Sequence, residues 1–403
     1  MTDAGLISER LRKKSLEKKA AEQHKREEML REYNRRLREN EKSPFFLSEV
    51  QKKEVREYWE SHTNFRKSQN PESDTQLNVE GWVEYYSGLY GMYDRRFLPD
   101  PVYYLDIDSY YNHRAAAKYI DNKCFYSRLF PQIRQPEIIA EKVNGFWLDK
   151  DFRGIQMEEI LRKCREAGKI IVKPAVDFGG GAGIFIWDAK KDATGRLEKY
   201  LLRTVIDTVI MVFLEQHREM KKLHPSSVNT VRTISFYYKN EIRILSSVVR
   251  MGTGDSEVDN ISAGGISAGI KEDGRLKNVG FNKSGKRFLT HPDGPVFGEC
   301  RVPCYEQICS HIREAHKFFP YFRLISWDFA VDCEGNPVLI EANLRNGELD
   351  FHQINNGPLF RELTDEVLWE VYRKSCKFGS ELPNLPLLTQ QVRQERGKDA
   401  EKY

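Results

Sequence analysis

The chain has 403 residues, 40% of them hydrophobic, seven cysteines and a formal net charge of +4, enough length for two or three domains with a substantial core. No apolar run approaches the ~20 residues that span a bilayer and the N-terminus carries no signal-peptide core, so the expected location is cytoplasmic. So small a net charge gives no ground for a specific nucleic-acid partner, and an odd, irregularly spaced set of cysteines fits reduced thiols. Cys300, Cys304 and Cys309 lie close together but lack a zinc site's paired spacing.

From about Ser8 to Lys42 the chain is charged and free of proline and glycine, which predicts one long helix. Arg10, Arg12, Lys13, Lys14, Lys18 and Lys19 make its first half basic, and Leu30, Tyr33 and Leu37 are the one apolar stripe at helical spacing. One reading is a basic arm for peripheral contact with an anionic membrane surface, a polymer or nucleic acid. The other, which the stripe favours, is a solvated helix whose last turns dock on the body. Ser43-Pro44 ends it, Ser48 to Glu60 predicts a second helix, and Ser68 to Asp74 reads as a loop. Trp82 to Tyr111 is dense in tyrosine and tryptophan, as aromatic packing requires more often than a carbohydrate-stacking surface does.

The chemistry-bearing part opens at Asp121-Asn122-Lys123, with a short helix over Cys124–Leu129. An amphipathic helix over Met157–Ala167 stops at Gly168. Lys169 to Ala175 reads as a buried strand carrying Lys173, followed at once by Phe178-Gly179-Gly180-Gly181-Ala182-Gly183 and a strand from Ile184 to Trp187. A glycine run between two strands is a hairpin whose backbone N–H groups can approach an anion, and the lysine before it supplies a point charge for phosphate. It is not a Walker loop, because no Gly-Lys-Ser/Thr follows.

Val209 to Leu214 predicts another apolar strand, ending in Glu215-Gln216-His217. Ser227 to Ser235 opens a hairpin that turns at Lys239-Asn240 and returns to Arg250. An arginine inside such a strand is costly unless an anion meets it, which makes Arg232 a phosphate or carboxylate ligand candidate. A two-residue turn puts Arg250 on the opposite face unless a bulge intervenes. Asp259 to Gly265 is a polar, small-residue loop suited to lying across a bound ligand, and Tyr305 to Phe318 predicts a helix.

Leu324 to Asp332 and Pro337 to Asn343 are two apolar strands around a tight glycine-containing turn. With Glu334-Gly335 as a two-residue loop, Asp332 faces Pro337, Ala330 faces Leu339 and Asp328 faces Glu341, with Asn343 on Glu341's face. Two opposed carboxylates on an apolar hairpin repel unless a cation or proton lies between them. Three oxygen ligands without nearby His or Cys suit Mg²⁺, and the alternative is a sheet edge whose acids are solvated. Beyond them Asp350, His352 and Gln353 are placed to reach the same site, a helix runs from Phe360 to Lys374, and the tail after Pro386 is polar.

The order Lys123, Lys173 with its glycine loop, the Val212–Glu215 hinge, Arg232 and Asp328…Glu341-x-Asn343 resembles the ATP-grasp superfamily. It is most similar to the sugar-transfer-associated ATP-grasp family linked with bacterial surface polysaccharide genes, over about Pro99 to Glu362. Asp121-Asn122-Lys123, Ser227-Val228-Asn229-Thr230-Val231-Arg232 and Val258 to Gly265 carry the likeness most specifically. The resemblance implies an α+β fold, an ATP-grasp of two α+β subdomains gripping ATP, with a helical N-terminal extension. Residues 1–45 are then the basic helix, 46–118 the aromatic-rich region, 119–210 and 211–385 the two subdomains, and 386–403 the tail.

It also implies roles. Lys123 and Lys173 would contact the phosphates of ATP under a lid of Gly180, Gly181 and Gly183. Val212, Phe213 and Leu214 would offer backbone groups to adenine and Glu215 would reach the ribose. Asp328, Glu341 and Asn343 would hold Mg²⁺, and Arg232, with Asn229 and Arg250, would serve catalysis. Val212 stands where an acidic hinge residue is expected. The implied reaction is activation of a carboxylate as an acyl phosphate and its ligation to an amine on a small-molecule or glycan-precursor substrate. The rivals are phosphoryl transfer to a sugar or alcohol, separable by ADP release without a carboxylate, and a catalytically inactive nucleotide-binding scaffold whose basic N-terminal helix contacts a membrane or glycan-assembly proteins.

Overall fold

Thirty-eight residues with no proline and a single glycine, Gly5 in the first turn, form α1, Asp3–Asn40, and its sparse apolar stripe decides which part is anchored. Leu30 and Leu37 are buried while Leu16, in the basic half, is exposed. Arg26 pairs with Asp106 at 2.6 Å, and the Tyr372 hydroxyl donates to the other Asp106 oxygen at 2.6 Å. The computed structural model that shows this describes residues 3–40, 45–63, 76–176, 183–256, 259 and 264–374. It divides into two units, 1–110 with 357–403, and 111–356.

In the first unit, α2 (Glu49–His62) starts at a capping box. Ser48 Oγ accepts from the Gln51 N–H at 3.3 Å while Gln51 Oε1 accepts from the Ser48 N–H at 2.9 Å. The tyrosine-rich stretch is internal packing: Trp82, Tyr86, Phe97 and Tyr103 are all buried, and the Tyr86 ring stacks on Phe97 with centroids 5.8 Å apart. Helix α3, Val79–Tyr90, supplies Trp82 and Tyr86 and ends on Gly91 in the left-handed conformation.

The second unit holds two antiparallel sheets. Strands β1 (Ile138–Val143), β2 (Phe146–Leu148), β3 (Lys169–Pro174), β4 (Phe185–Asp188) and β5 (Thr208–Val212) form the first, in the order β2-β1-β5-β3-β4. Helices α4 (Met157–Ala167) and α5 (Thr194–Arg203) cover one face, packing Ile160, Cys164, Leu197 and Leu201 on Ile170, Val172, Trp187 and Ile210. Helix α4 stops where the sequence stops it, at Gly168 with φ +75°. The opposite face carries Ile138, Ile171, Val209 and Met211 under Cys124.

The second sheet has the order β10-β9-β8-β7-β6-β11-β12, with β6 Thr230–Tyr238, β7 Glu241–Met251, β8 Ile266–Ile270, β9 Leu276–Asn282, β10 Arg287–Phe288, β11 Leu324–Val331 and β12 Pro337–Asn343. One face packs Val231, Val249, Ala268, Trp327, Phe329 and Leu339 with helix α6 (Tyr305–His316) into the largest core. The side chains that alternate with these point to the other face and are mostly polar.

Two bulges set what that polar face contains. The β6–β7 hairpin turns at Lys239 and Asn240, both at positive φ, as the two-residue turn requires. Pairing then slips by one, so that Ser235 faces Ile244 but Ile234 faces Ser246, leaving Leu245 extra. In β11–β12 the turn is longer than the sequence predicts. Asp332 donates its N–H to the Asn336 carbonyl at 3.0 Å around Cys333-Glu334-Gly335, with Gly335 at φ +90°. Val331, not Asp332, therefore faces Pro337, and Ala330 faces Val338, not Leu339. A bulge at Ile340 cancels the one-residue error, and Asp328 does face Glu341.

Candidate active site

On the polar face of the second sheet, register builds three parallel rows. The first is Thr230–Arg250–Ser267, the second Glu341–Asp328–Arg232–Val248 and the third Asn343–Ser326–Ile234–Ser246. The Leu245 bulge is what places Arg250 on Arg232's face; an unbulged hairpin would turn it into the core.

The second row is an ion-pair network. Arg232 Nε and Nη2 donate to the two oxygens of Asp328 at 2.7 and 2.6 Å, and its Nη1 donates to Glu348. Arg250 reaches the same Asp328 carboxylate at 3.0 Å, Asp259 at 3.2 Å and the Thr230 hydroxyl at 3.0 Å. Burial alone would raise Asp328, but the charges of Arg232 and Arg250 outweigh it and hold the carboxyl down to about 2. Lys123 is also buried, and its Nζ donates to Glu341 Oε1 at 2.8 Å across 218 residues of chain. Asp121 stands near this pair, and burial, then the Glu341 charge, pushes it up to about 6. Lys173 comes in from β3, close enough to add to the field that keeps Asp328 ionised.

The other predicted residues fare differently. The Val212 N–H is already donated to the Glu137 carbonyl and the Phe213 N–H to that of Lys169, both at 2.9 Å. A base at this hinge would therefore use neither, and the expected backbone donors narrow to Leu214 and beyond. Glu215 is exposed. Asn229 does not join the charged rows. It is completely buried, and its amide NH₂ donates to Gln216 Oε1, the Met220 carbonyl and the His224 carbonyl at 2.7–2.9 Å. Its amide ties the chain after β5 to the start of β6, which is a structural task. Gly180 and Gly181 lie outside the described residues. Gly183 has φ +81°, and a Cβ there would come within 2.9 Å of the Pro174 ring, so the return of the loop onto β3 needs a glycine.

Glu341, Asn343 and Asp328 are the oxygen donors Mg²⁺ takes. The ion keeps several waters and shares its shell of about six ligands with phosphate oxygens. Among the described residues no three His, Cys, Asp or Glu side chains group so that they could hold a metal ion. Both Asp328 oxygens are engaged by arginines. Glu341 gives one oxygen to Lys123, and Asn343 uses its NH₂ on the Ser326 carbonyl at 3.3 Å, so its carbonyl oxygen is the amide donor for a cation. Glu341 and Asn343 fit the ion best.

One titratable group in this unit carries no sequence signal. Glu141 faces Val209, which faces Lys173, so all three share the face of the first sheet that lies under Cys124. Its exposure is zero and neither carboxylate oxygen has a hydrogen-bond partner. Burial pushes it up to about 7, with Arg128 opposing. A folded value above the unfolded one means that Glu141 adds no pH-dependent cost below about pH 4, costs stability as pH rises from there through 7, and carries the full penalty above it. Glu141→Gln is expected to stabilise the protein by about 1–3 kcal/mol at pH 8 and to change nothing at pH 4, as read by urea unfolding at both pH values. Equal effects at the two pH values would sink the assignment. The lone acid in Ala140-Glu141-Lys142 reads locally as a solvated strand residue, and only the segment that covers it reveals otherwise.

Residues 105–367 match the family described as sugar-transfer associated ATP-grasp. No curated relative matches the chain. Solved structures are similar at a fold level only. A D-cycloserine synthetase has 10% identity and a TM-score of 0.38, over 63% of this chain and 72% of that one. An ATP-grasp ligase complexed with a precursor variant, Mg and ADP has 14% identity and a TM-score of 0.38, over 64% and 60%. An L-amino acid ligase from Bacillus licheniformis has 14% identity and a TM-score of 0.35, over 66% and 51%. The chain thus spans about half to three quarters of their lengths.

Proposed function

The chain belongs to the sugar-transfer associated ATP-grasp family, and from that premise we propose an ATP- and Mg²⁺-dependent ligase. It activates a carboxylate as an acyl phosphate and joins it to an amine or similar nucleophile in bacterial surface polysaccharide biosynthesis. The observation that supports this is the joining of Lys123, Arg232 and Arg250 to Glu341 and Asp328 in one buried network, reached by Lys173. Such a set stores positive charge for a phosphoryl group without a covalent nucleophile, and phosphoryl transfer asks for positioning and electrostatics above all.

Lys123 and Lys173 bind phosphate oxygens, and Glu215 takes the ribose. Arg232 and Arg250 steady the group in transfer, while Glu348 and Asp259 hold both guanidiniums in place. Bound Mg²⁺ neutralises charge on the phosphate oxygens.

ATP with Mg²⁺ is expected to stabilise the folded chain by about 2.7 kcal/mol at a hundredfold excess over Kd, seen as an upward thermal shift larger than with ATP alone. ADP release should then require both a carboxylate and an amine. Release with a sugar or alcohol and no carboxylate would replace ligation by direct phosphoryl transfer, and the absence of any shift would leave an inactive scaffold. No helix among the described residues is long and apolar enough to cross a membrane.

A further inference from the structure

Helix α7, Asp350–Asn356, lies against β7, β8 and β9 on the polar face. A helix that covers a sheet normally presents apolar residues to it. This one presents His352, Asn355 and Asn356, three and four residues apart. Asn356 Nδ2 donates to Ser246 Oγ and to the Ser247 carbonyl, Asn355 Nδ2 donates to Ser267 Oγ, and His352 Nδ1 sits 2.8 Å from Ser246 Oγ.

Ser246 Oγ accepts from Asn356 and still has its own proton to give, and the neighbour that can take it is His352 Nδ1. In that arrangement Nδ1 is the acceptor and the ring proton is on Nε2. Burial first, and then the positive charge of Arg232, holds the ring's pKa down to about 3, so the imidazole is neutral. Nε2–H is completely enclosed and has no acceptor, and in the same third row Ser326 Oγ is enclosed without a partner, as is Asn355 Oδ1. Buried polar groups are almost always satisfied, and three on one face beside the Arg232–Asp328 pair call for a reason.

We propose that His352 is a substrate-recognition residue: its Nε2–H, together with Ser326 Oγ and Asn355 Oδ1, receives an uncharged hydroxyl or carbonyl group of the acceptor. The charged rows bind the phosphates and carboxylate, and this neutral set reads the acceptor beside them. The inference rests on the ligase reading for its substrate and on hydrogen-bond geometry for its site.

Two measurements on the full chain test it. Long-range ¹H–¹⁵N spectra of ¹⁵N-histidine-labelled protein should show His352 as the neutral Nε2–H tautomer; the Nδ1–H tautomer overturns the proposal. In the ADP-release assay, with the carboxylate and amine that support turnover, His352→Phe should raise the acceptor KM at least tenfold and His352→Gln, which keeps a donor, should recover part of it. The KM for ATP and the Mg·ATP thermal shift should stay as in the unchanged protein. An unchanged acceptor KM, or equal losses toward acceptor and ATP, gives the histidine a structural role and overturns the proposal. Failure of the ligase reading looks different: no ligation in the unchanged protein, with the Nε2–H tautomer still present.

Discussion

Arg232→Met is expected to destabilise the protein by about 3–5 kcal/mol in urea unfolding and to lower turnover by at least ~10³-fold. The stability loss comes from what is left behind. Asp328 is 1% exposed, and without Arg232 it keeps only Arg250, at 3.0 Å. Glu348 loses its Arg232 bond as well and keeps only Arg250, at 3.8 Å. An uncompensated carboxylate in a buried site costs far more than the pair contributes over an apolar substitute, so the double variant Arg232→Met/Asp328→Leu should regain most of the stability and none of the activity. Arg232→Lys should fall between, since an ammonium cannot hold both Asp328 oxygens in a fork. A loss below 1 kcal/mol in Arg232→Met would mean that Arg250 suffices for Asp328 and that the network is looser than its distances indicate.

Glu341→Gln is expected to lower Mg·ATP turnover by at least ~10²-fold and to remove the Mg²⁺ dependence of the ATP thermal shift. The amide keeps the size of the side chain but gives up the negative charge that a cation needs. Because Glu341 also pairs with Lys123, some stability is lost too, and the companion Lys123→Met separates the two roles. Lys123→Met should weaken the ATP shift while leaving it dependent on Mg²⁺. If Glu341→Gln keeps a Mg²⁺-dependent shift, the metal donor is another group and the Lys123–Glu341 bond is structural.

Local chemistry made much of this protein legible before any coordinates. Helix α4 could be placed from its apolar period and from Gly168, because a helix ends where a residue free to take positive φ follows it. The charged residues inside apolar strands, Lys173, Arg232, Asp328 and Glu341, stood out because a buried charge needs a partner. Even the opposition of Asp328 and Glu341 was foreseen, although from a turn one residue too short; the bulge at Ile340 restored the register. Asn229 shows the reverse error. A polar residue in a site-like motif turned out to spend its amide on Gln216, Met220 and His224.

The family resemblance therefore carried the α+β class, and local pattern carried the central hairpins and the set of charges, since those depend on a residue and its near neighbours; the strands Ile266–Ile270 and Leu276–Asn282 had no such signal. Tertiary structure decided which charges meet. One extra residue, Leu245, turned Arg250 onto Arg232's face, and nothing in its side chain announces a bulge. Lys123 found Glu341 across 218 residues. Glu141 and His352 became enclosed polar groups only when distant segments covered them. Burial is a property of what packs against a residue from elsewhere in the chain, so it is decided only when the sheets, their bulges and the covering helices are assembled.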